Sequence, residues 1–386
     1  MQNAKIPTII GANKMKKIAK VGITLAIIFV VICLSALGAY WAVQKDRQNQ
    51  LNKYDFAKYA NFASKTVLFI GDGMGENHIK NAEIYNGATT YISSIATHGL
   101  VTTFSNSVVA PTDSAAAASA LACGKKFDNK EVSRHNGVDV KNISEYAKEK
   151  GLGVGIVTTD SLSGATPACF SSHANNRGDT SDIVSGQINS NVDLFLGAGK
   201  DTYANYKSQF ESKGYTFASD YSALSTENTK IVGSFESVPA NEGSSATPTL
   251  EMLTSFAIDF FETHFASGCF LMIEGAHIDK KSHANEILPM IEYLTSFDNS
   301  VKYVADKFES QNDTAIIVTA DHETGGLKLA TNKADIQNSL YTRGGHSSKN
   351  VPYFAKFSAN RETLITLPDK LDNTDIFKLC KALLIG

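Results

Sequence analysis

Acidic side chains follow three predicted strands, at the point where each strand ends. Asp72, Glu274 and the pair Asp321–His322 each come after a short run of β-branched and other apolar residues. In a parallel sheet, ligands gather at the carboxyl ends of the strands. A single Asp after a strand is usually a turn former or a helix cap, but three carboxylates at one sheet edge repel one another and need a positive charge to offset them. The pattern therefore predicts a site for metal ions.

A second set of metal-ligand types lies further along the chain. Asp279 and His283 are four residues apart in a predicted helix, so both project from one face and could hold one metal ion. His346 lies in a glycine-rich segment that we expect to be a flexible loop. Alone, such a pair is more often a solvated helix face, and such a histidine a surface residue. Together with Asp321 and His322, these residues supply enough ligands for two zinc sites.

A serine at the start of a predicted helix is the candidate nucleophile. The segment APTDSAAAASALACG indicates a helix that Thr112 or Asp113 caps and that Gly124 ends. Ser114 would lie in the first turn, where the helix dipole and the free amides favour an anion. Without metal ligands nearby, Ser114 would be only a cap residue. Zinc, however, can deprotonate a serine hydroxyl and make it a nucleophile.

Two further polar residues lie in the segment GATPACFSSHANNRGD, namely Thr166 and Arg177. The planar guanidinium of Arg177 could bind two oxygens of one phosphate group. A lone arginine is more often a surface residue. The interpretation as a phosphate ligand therefore depends on the metal-ligand types found elsewhere in the sequence.

Continuous apolar runs alternate with helical patterns after residue 64. Such runs, separated by helices, are typical of a parallel sheet that is buried on both faces. The fold class that follows is α/β, a three-layer sandwich with a mostly parallel central sheet flanked by helices. The predicted strands are residues 66–70, 153–159, 193–199, 230–235, 269–275 and 314–321.

The N-terminal region predicts a membrane segment. Residues 21–43 carry no charge and exceed the ~20 apolar residues that a bilayer-spanning helix needs. The lysines that precede them are Lys14, Lys16, Lys17 and Lys20. This positive flank predicts a cytoplasmic N-terminus and a catalytic region outside the cytoplasm, periplasmic or extracellular. A cleaved signal peptide, whose apolar core usually spans about 7–15 residues, is one alternative, and a buried core helix is another.

The predicted organisation has four parts: a basic cytoplasmic segment (1–20), a transmembrane signal anchor (21–43), a polar stalk (44–64) and a catalytic domain (65–386). The formal net charge of -3 and the scattered basic residues exclude nucleic acid as an obvious partner. The five cysteines include no CxxC pair, so zinc binding by cysteine is not expected. An outside location permits disulfides, and buried free thiols are the alternative.

Five motifs occur in the order in which alkaline phosphatases carry them. They are FIGDGMG, PTDSAAAASA, ATPACFSSHANNR, EGAHIDKKSH and VTADHETGG, followed by His346. Residues 62–386 resemble that family over nearly their whole length. The resemblance implies an alkaline-phosphatase-like fold. It also implies an enzyme that hydrolyses small phosphate monoesters at a site with two zinc ions and one magnesium ion.

The resemblance also implies a role for each matched residue. The matched ligands are Asp279, His283 and His346 for the first zinc; Asp72, Asp321, His322 and Ser114 for the second zinc; and Asp72, Thr166 and Glu274 for magnesium. Ser114 would carry a phosphoserine intermediate. Arg177 would bind the phosphate directly, and Lys280 would approach it through water.

The sequence departs from the family pattern in three places. Gly164, two residues before Thr166, lies where the family commonly has Asp or His to orient waters around magnesium, which leaves the metal at the third site open. His277 is expected to face solvent. The stretch from His322 to His346 is shorter than is usual in the family, so the accessory region found there is expected to be small or missing. The dimer interface is therefore undefined, and a homodimer stays an open alternative.

Two other functions are alternatives. One is a phosphodiesterase or another member of the same metallo-superfamily. Arg177 favours a monoester, because a diester has one phosphate oxygen blocked. The other alternative is an inactive surface-binding relative, which would keep the fold but lose a ligand or the nucleophile. Here all nine positions for metals and nucleophile carry the expected residue types.

Overall fold

The chain folds into two compact units, residues 1–53 and residues 54–386. The computed structural model describes residues 10–51, 53–107 and 111–386. The first unit is built on a single helix, and the second contains a large sheet with helices around it.

The first unit contains helix α1 (Ile10–Gln50). Its segment Lys16–Val43, 28 residues long, is the one stretch of the described chain that is long and apolar enough to cross a membrane. The apolar side chains described in it are exposed to solvent. A membrane anchor and a signal sequence near the N-terminus share these properties.

The predicted stalk, residues 44–64, is divided between the two units. Helix α1 continues through the first residues of this segment as far as Gln50, whereas the second unit begins at Tyr54. Phe56 and Tyr59 are buried in the core of the second unit, because aromatic side chains bury a large apolar area. The predicted domain limits at residues 20 and 43 stay predictions.

The second unit is built around a ten-stranded sheet, with two small two-stranded sheets beside it. The strands are β1 (Lys65–Ile70), β2 (Thr97–Thr102), β3 (Arg134–His135), β4 (Val138–Asp139), β5 (Gly153–Ser161), β6 (Leu194–Ala198), β7 (Thr216–Ala218), β8 (Ile231–Phe235), β9 (Cys269–Glu274), β10 (Thr314–Thr319), β11 (Glu323–Thr324), β12 (His346–Ser347), β13 (Val351–Phe357) and β14 (Lys370–Asp372). The order in the large sheet is β14-β2-β13-β10-β1-β9-β5-β6-β8-β7. Strand β13 is antiparallel to both neighbours, and the other pairs are parallel.

Helices cover the sheet in two groups. The helices of the second unit are α2 (Glu76–Asn86), α3 (Ser114–Cys123), α4 (Ile143–Glu149), α5 (Ala165–Cys169), α6 (Thr180–Asn189), α7 (Lys200–Ala204), α8 (Lys207–Ser212), α9 (Leu250–His264), α10 (His277–His283), α11 (Ile287–Phe308), α12 (Ala359–Glu362) and α13 (Asn373–Ile385). Helices α2, α9, α10 and α11 pack together, as do α3, α4, α5 and α13, and members of both groups contact β5. All six predicted strands are present as β1, β5, β6, β8, β9 and β10, and the predicted fold class is confirmed.

Candidate metal centre and active site

The register of the central strands brings their carboxyl ends to one edge of the sheet. Ile70 at the end of β1 pairs with Glu274 of β9 on one side and with Thr319 of β10 on the other. Glu274 in turn pairs with Thr158 of β5. Asp72 and Asp321, which each follow one of these strands by two residues, therefore start from the same edge. This is the convergence that the sequence predicts.

Asp279, His283 and His346 form the first group of ligand atoms, all within 4.8 Å of one another. The two Nε2 atoms are 3.1 Å apart, and His283 Nε2 is 3.4 Å from Asp279 Oδ2. Each Nδ1 donates to a backbone carbonyl, that of Gly344 for His283 (2.5 Å) and that of Thr112 for His346 (2.7 Å). Where each Nδ1 carries the proton of a neutral ring, both Nε2 atoms present lone pairs, which face each other and a carboxylate. A cation between them offsets this repulsion, so the donor set fits a divalent metal such as zinc.

Asp72, Asp321 and His322 form the second group, with the same spread of ligand atoms. His322 Nε2 lies 3.2 Å from Asp321 Oδ2 and 3.5 Å from Asp72 Oδ1. The hydroxyl of Thr324 donates to Asp279 Oδ1 (2.5 Å) and accepts from His322 Nδ1 (3.2 Å). The Nε2 lone pair therefore faces the two carboxylates. Burial, and next the nearby His346, lowers the pKa of His322 well below its ordinary value, so the ring is neutral and its lone pair is free for a metal.

Two carboxylate oxygens of this group lack a conventional partner. Asp321 Oδ1 accepts from the backbone N–H groups of Gly73 and His322. Among the residues that the structure describes, Asp321 Oδ2 and Asp72 Oδ1 are buried without a hydrogen bond. Buried polar atoms are normally satisfied. Unsatisfied oxygens that point at an imidazole lone pair fit a cation that would bind all three atoms.

Glu274 and Thr166 mark a third position. Glu274 ends β9 and accepts a short hydrogen bond from the hydroxyl of Thr158. Thr166 lies in α5, fully buried, and its Oγ1 finds no hydrogen-bond partner in the described part of the chain. A carboxylate and a hydroxyl are hard oxygen donors of the kind that magnesium prefers. Together with Asp72, whose pKa burial and then the charges of Asp321, Asp279 and Glu274 raise, these residues fit a third divalent cation.

The buried carboxyl groups are held in an unfavourable electrostatic environment. The pKa of Asp72 is raised well above its ordinary value, first by burial and second by the charge of Asp321. Burial, followed by Asp279, raises the pKa of Asp321 to about 7. Burial, followed by Asp160, raises the pKa of Glu274 to about 8. Divalent cations would reverse these shifts, because they stabilise the ionised carboxylates.

Ser114 begins α3 and is buried beside the second group. Its Oγ is 3.2 Å from His322 Nε2. Asp113 is the N-cap of this helix and accepts from the backbone N–H of Ala116 (3.0 Å), which decides between the two predicted caps. Gly124 ends the helix in the left-handed conformation, as predicted. The Ser114 hydroxyl thus lies at the positive end of a helix dipole and next to a candidate metal group.

Arg177 and Lys280 supply positive charge at this edge. Arg177 Nη1 is 3.4 Å from Asp113 Oδ2. Burial lowers the pKa of Arg177, but the charges of Asp113 and Asp72 outweigh it, and the pKa is raised. Lys280 forms a close ion pair with Asp160. The structure therefore brings all the predicted site residues to one edge of the sheet.

Two sequence-based expectations about histidines are corrected. His346 does not lie in a flexible loop, because it forms strand β12, which pairs with β11. His277 does not simply face solvent. It is half-buried, stacks on Tyr293 with the ring centroids 4.5 Å apart, and has Nδ1 3.0 Å from Thr159 Oγ1. Burial lowers its pKa to about 4.

Two contacting residues were missed by the sequence reasoning. Thr324 joins Asp279 to His322, and only the folded structure reveals this contact. Asp160 lies near the end of β5, directly after the predicted strand 153–159. The same strand-end rule that identified Asp72 could have identified Asp160.

The tight turn after β1 requires glycine. Gly73 has a φ of 75°, which disfavours other residues. A Cβ at this position would also lie 2.9 Å from the Cα and Oδ1 atoms of Asp279. Gly73 therefore allows the loop that carries Asp72 to approach the helix that carries Asp279 and His283.

A further group of Asp128, Glu131 and His135 also has closely spaced ligand atoms. Here the carboxylate of Glu131 accepts from His135 Nδ1 (2.8 Å) and from the backbone N–H groups of Asp128 (2.8 Å) and Asn136 (3.1 Å). These hydrogen bonds satisfy its oxygens and explain the cluster as a structured turn. It needs no metal ion.

Every cysteine is a free thiol in the described structure. Cys33 is exposed on α1, and Cys123, Cys169, Cys269 and Cys380 are buried. Of the two sequence-based alternatives, the structure favours buried thiols over disulfides.

Comparison with known proteins identifies the family. The family model described as Alkaline phosphatase matches residues 63–378. Alkaline phosphatase 4 of Bacillus subtilis (strain 168) is 29% identical over 331 residues, which cover 80% of this chain and 71% of that protein. The alkaline phosphatase of the Antarctic bacterium TAB5 has a similar structure, with a TM-score of 0.73, 30% identity, and coverage of 83% of this chain and 98% of that one. A variant of the TAB5 enzyme with Mg bound in its M3 site is also similar, with a TM-score of 0.70, 27% identity, and coverage of 84% and 99%. The chain belongs to the alkaline phosphatase family of enzymes.

Proposed function

We propose that this protein hydrolyses phosphate monoesters to an alcohol and inorganic phosphate through a phosphoserine at Ser114. The observation that carries the proposal is the position of Ser114 Oγ. It lies at the N-terminus of α3, 3.2 Å from the Nε2 atom of His322, whose other neighbours are carboxylates with unsatisfied oxygens. A hydroxyl at that point is next to the positive end of the helix dipole and to the residues that would hold cations.

We assign the metal ligands according to the three groups. The proposed ligands are Asp279, His283 and His346 for one zinc; Asp72, Asp321, His322 and Ser114 for a second zinc; and Asp72, Thr166 and Glu274 for magnesium. Imidazole and carboxylate suit zinc, and hard oxygen donors suit magnesium. Asp72 would belong to two sites, in keeping with the charges of Asp321 and Glu274, which both raise its pKa after burial does.

Cations at these groups would lower the pKa of the serine hydroxyl and neutralise charge on the attacking and leaving oxygens. Ser114 Oγ attacks phosphorus as the bond from phosphorus to the substrate alcohol oxygen breaks. Water then attacks the phosphoserine and releases inorganic phosphate and the Ser114 hydroxyl. Each displacement inverts the configuration at phosphorus, so the overall result is retention.

The cationic side chains bind the phosphate oxygens that do not react. The guanidinium of Arg177 binds two of them through its planar fork, and the first amides of α3 face the developing charge. Lys280 adds longer-range attraction. A monoester presents more free oxygens to these groups than a diester does, which favours monoesters as substrates.

The apolar helix supports a location at a membrane. We propose that α1 is an uncleaved anchor and that its lysine-rich flank stays in the cytoplasm. The catalytic unit would then act outside the cytoplasm on small phosphate monoesters. Membrane fractionation with protease protection of the catalytic unit tests this proposal. Release of a shortened, soluble chain would show instead that the helix is a cleaved signal sequence.

Parallel assays on aryl phosphate, bis-aryl phosphate and aryl sulfate test the substrate class. We expect the full chain, supplied with zinc and magnesium, to hydrolyse the monoester fastest and to lose this activity after chelation. Faster turnover of the diester would favour the phosphodiesterase alternative. Absence of hydrolysis of all three, with metals bound, would favour an inactive relative.

A further inference from the structure

Asp160 stands out because the proposed mechanism leaves it without a role. It lies near the carboxyl end of β5, and its side chain is 27% exposed. The Asp160 Oδ1 atom forms a close ion pair with Lys280 Nζ. It also accepts a hydrogen bond from the backbone N–H of Ser161 (2.7 Å). One carboxylate therefore holds the lysine that we assign to phosphate binding.

Asp160 is also tied to the third metal position. Its backbone N–H donates to the hydroxyl of Thr158 (2.9 Å), and that hydroxyl donates to Glu274. The Asp160 Oδ2 atom also lies beside Gly164, which is two residues before Thr166. The negative charge of Asp160 is thus held beside the segments that carry Thr158 and Thr166, where it favours a cation at the third position.

Gly164 leaves the space that Asp160 occupies. A Cβ built at Gly164 would lie 2.7 Å from Asp160 Oδ2 and 2.9 Å from the carbonyl oxygen of Ser161. The backbone of Gly164 has φ -57° and ψ 161°, a conformation that other residues adopt readily. The need for glycine here is therefore steric, and the Asp160 carboxylate and the Ser161 carbonyl oxygen both restrict the space.

We propose that Asp160 is a positioning residue that links the third metal position to phosphate binding, and that Gly164 is small in order to admit it. This inference rests on the proposed function. The Asp160 carboxylate attracts a cation toward Glu274 and Thr166, and it holds and partly neutralises Lys280. It therefore strengthens magnesium binding and weakens phosphate binding, which eases product release.

The test uses the full chain in detergent, loaded with zinc. Calorimetry measures its affinity for Mg²⁺ alone and, separately, its affinity for inorganic phosphate. We expect Asp160→Asn to weaken Mg²⁺ binding about tenfold, as loss of a group outside the coordination shell commonly does. We expect the same variant to bind phosphate about threefold more tightly, in line with a half-exposed ion pair. Opposite changes for the two ligands are not expected from general damage to the fold.

Further variants separate positioning from structural effects. Asp160→Glu keeps the charge and should recover most of the Mg²⁺ affinity. In a Lys280→Met background, Asp160→Asn should change phosphate affinity by less than about twofold, because the pair is already broken. Gly164→Ala displaces the carboxylate without removing it and should reproduce the Asp160→Asn changes. Asp306→Asn, which breaks an exposed ion pair with Lys302 on α11, is the control and should change neither affinity.

Unchanged Mg²⁺ affinity in both Asp160→Asn and Gly164→Ala would overturn the proposal. So would a phosphate effect of full size in the Lys280→Met background. If Asp160→Asn does not fold, Asp160→Ser takes its place in the same measurements. The binding measurements do not require turnover. A wild-type chain that binds both ligands but hydrolyses no monoester would refute the proposed function, and the binding data would still decide the role of Asp160.

Discussion

At the scale of single residues, hydrogen bonds to the far side of each ring define which nitrogen atoms can bind metal. Backbone carbonyls fix the protons of His283 and His346, and Thr324 does the same for His322. With the protons on these nitrogen atoms, the three Nε2 atoms present their lone pairs to the metal positions. The chemistry of the site depends on these partners as well as on the ligands.

Thr324→Val tests this dependence. Valine keeps the shape of threonine but removes the hydroxyl that joins Asp279 to His322. We expect zinc affinity to fall about 10- to 100-fold, because the ring and the carboxylate lose their fixed orientation. Competition with a chromophoric chelator measures the affinity. Thr263→Val is the matched control, since that hydroxyl bonds only within α9; an equal loss in the control would contradict the argument.

Arg177→Lys tests the phosphate-binding role. Lysine keeps the positive charge but cannot make two parallel hydrogen bonds to one phosphate group. We expect phosphate to bind about 10- to 100-fold more weakly, in line with the loss of a charge-assisted hydrogen bond. Arg134→Lys, which alters an ion pair with Asp139 on the β3–β4 hairpin, serves as the control. An Arg177→Lys variant that binds inorganic phosphate normally would argue against direct contact.

Some of these residues could be found from the sequence, and others could not. Asp72, Glu274 and Asp321 follow from the rule that ligands gather where parallel strands end. Asp160 obeys the same rule and could have been found. Thr324 could not, because its role depends on a contact with a residue 45 positions away along the chain.

At the scale of elements, helix α3 follows from local chemistry. The cap at Asp113, the alanine-rich interior and the left-handed Gly124 are each visible in the sequence, and all three are present in the structure. The pairing of β11 with β12 could not be predicted, because two-residue strands have no periodicity. That pairing brings His346 to the site, so one ligand depends on a long-range contact that sequence patterns do not reveal.

Substitutions at Asp113 distinguish the hydrogen bond that caps α3 from the other contacts of this side chain. Its two oxygens accept from the backbone N–H groups of Ala116 and Lys130. We expect Asp113→Ala to reduce the free energy of unfolding by about 1–2 kcal/mol, whereas Asp113→Asn keeps the cap to Ala116, loses the acceptor for Lys130 and costs less. Urea unfolding measures both. Equal losses in the two variants would show that the contacts of the second oxygen, to Lys130 and Arg177, stabilise this region more than the cap does.

At the scale of the whole molecule, the buried carboxyl groups link stability to pH and to metal ions. In the metal-free protein, burial raises the pKa of Asp321 to about 7 and that of Glu274 to about 8. The folded chain therefore holds protons that the unfolded chain releases at lower pH. This stabilising contribution is present below the ordinary carboxyl pKa and is lost as pH rises through 7 to 8.

We therefore expect the metal-free protein to melt at a lower temperature at pH 8.5 than at pH 6, and zinc with magnesium to raise the melting temperature more at pH 8.5. Thermal unfolding in chelator and in added metal measures the difference. Glu274→Gln, which cannot ionise, should flatten the dependence of the metal-free protein. A metal-free protein whose stability rises over this range, with Glu274→Gln showing the same rise, would contradict the assignment.

The central claim is that Ser114 becomes phosphorylated during turnover, and acid quenching tests it most directly. The full chain with zinc and magnesium is mixed with an aryl phosphate, quenched in acid, digested and analysed by mass spectrometry. We expect a phosphate on the peptide that contains Ser114, absent after chelation and absent in Ser114→Ala, which should also lose at least about 1,000-fold in kcat. Undiminished hydrolysis by Ser114→Ala, or steady turnover with the phosphate found on another residue, would contradict the account.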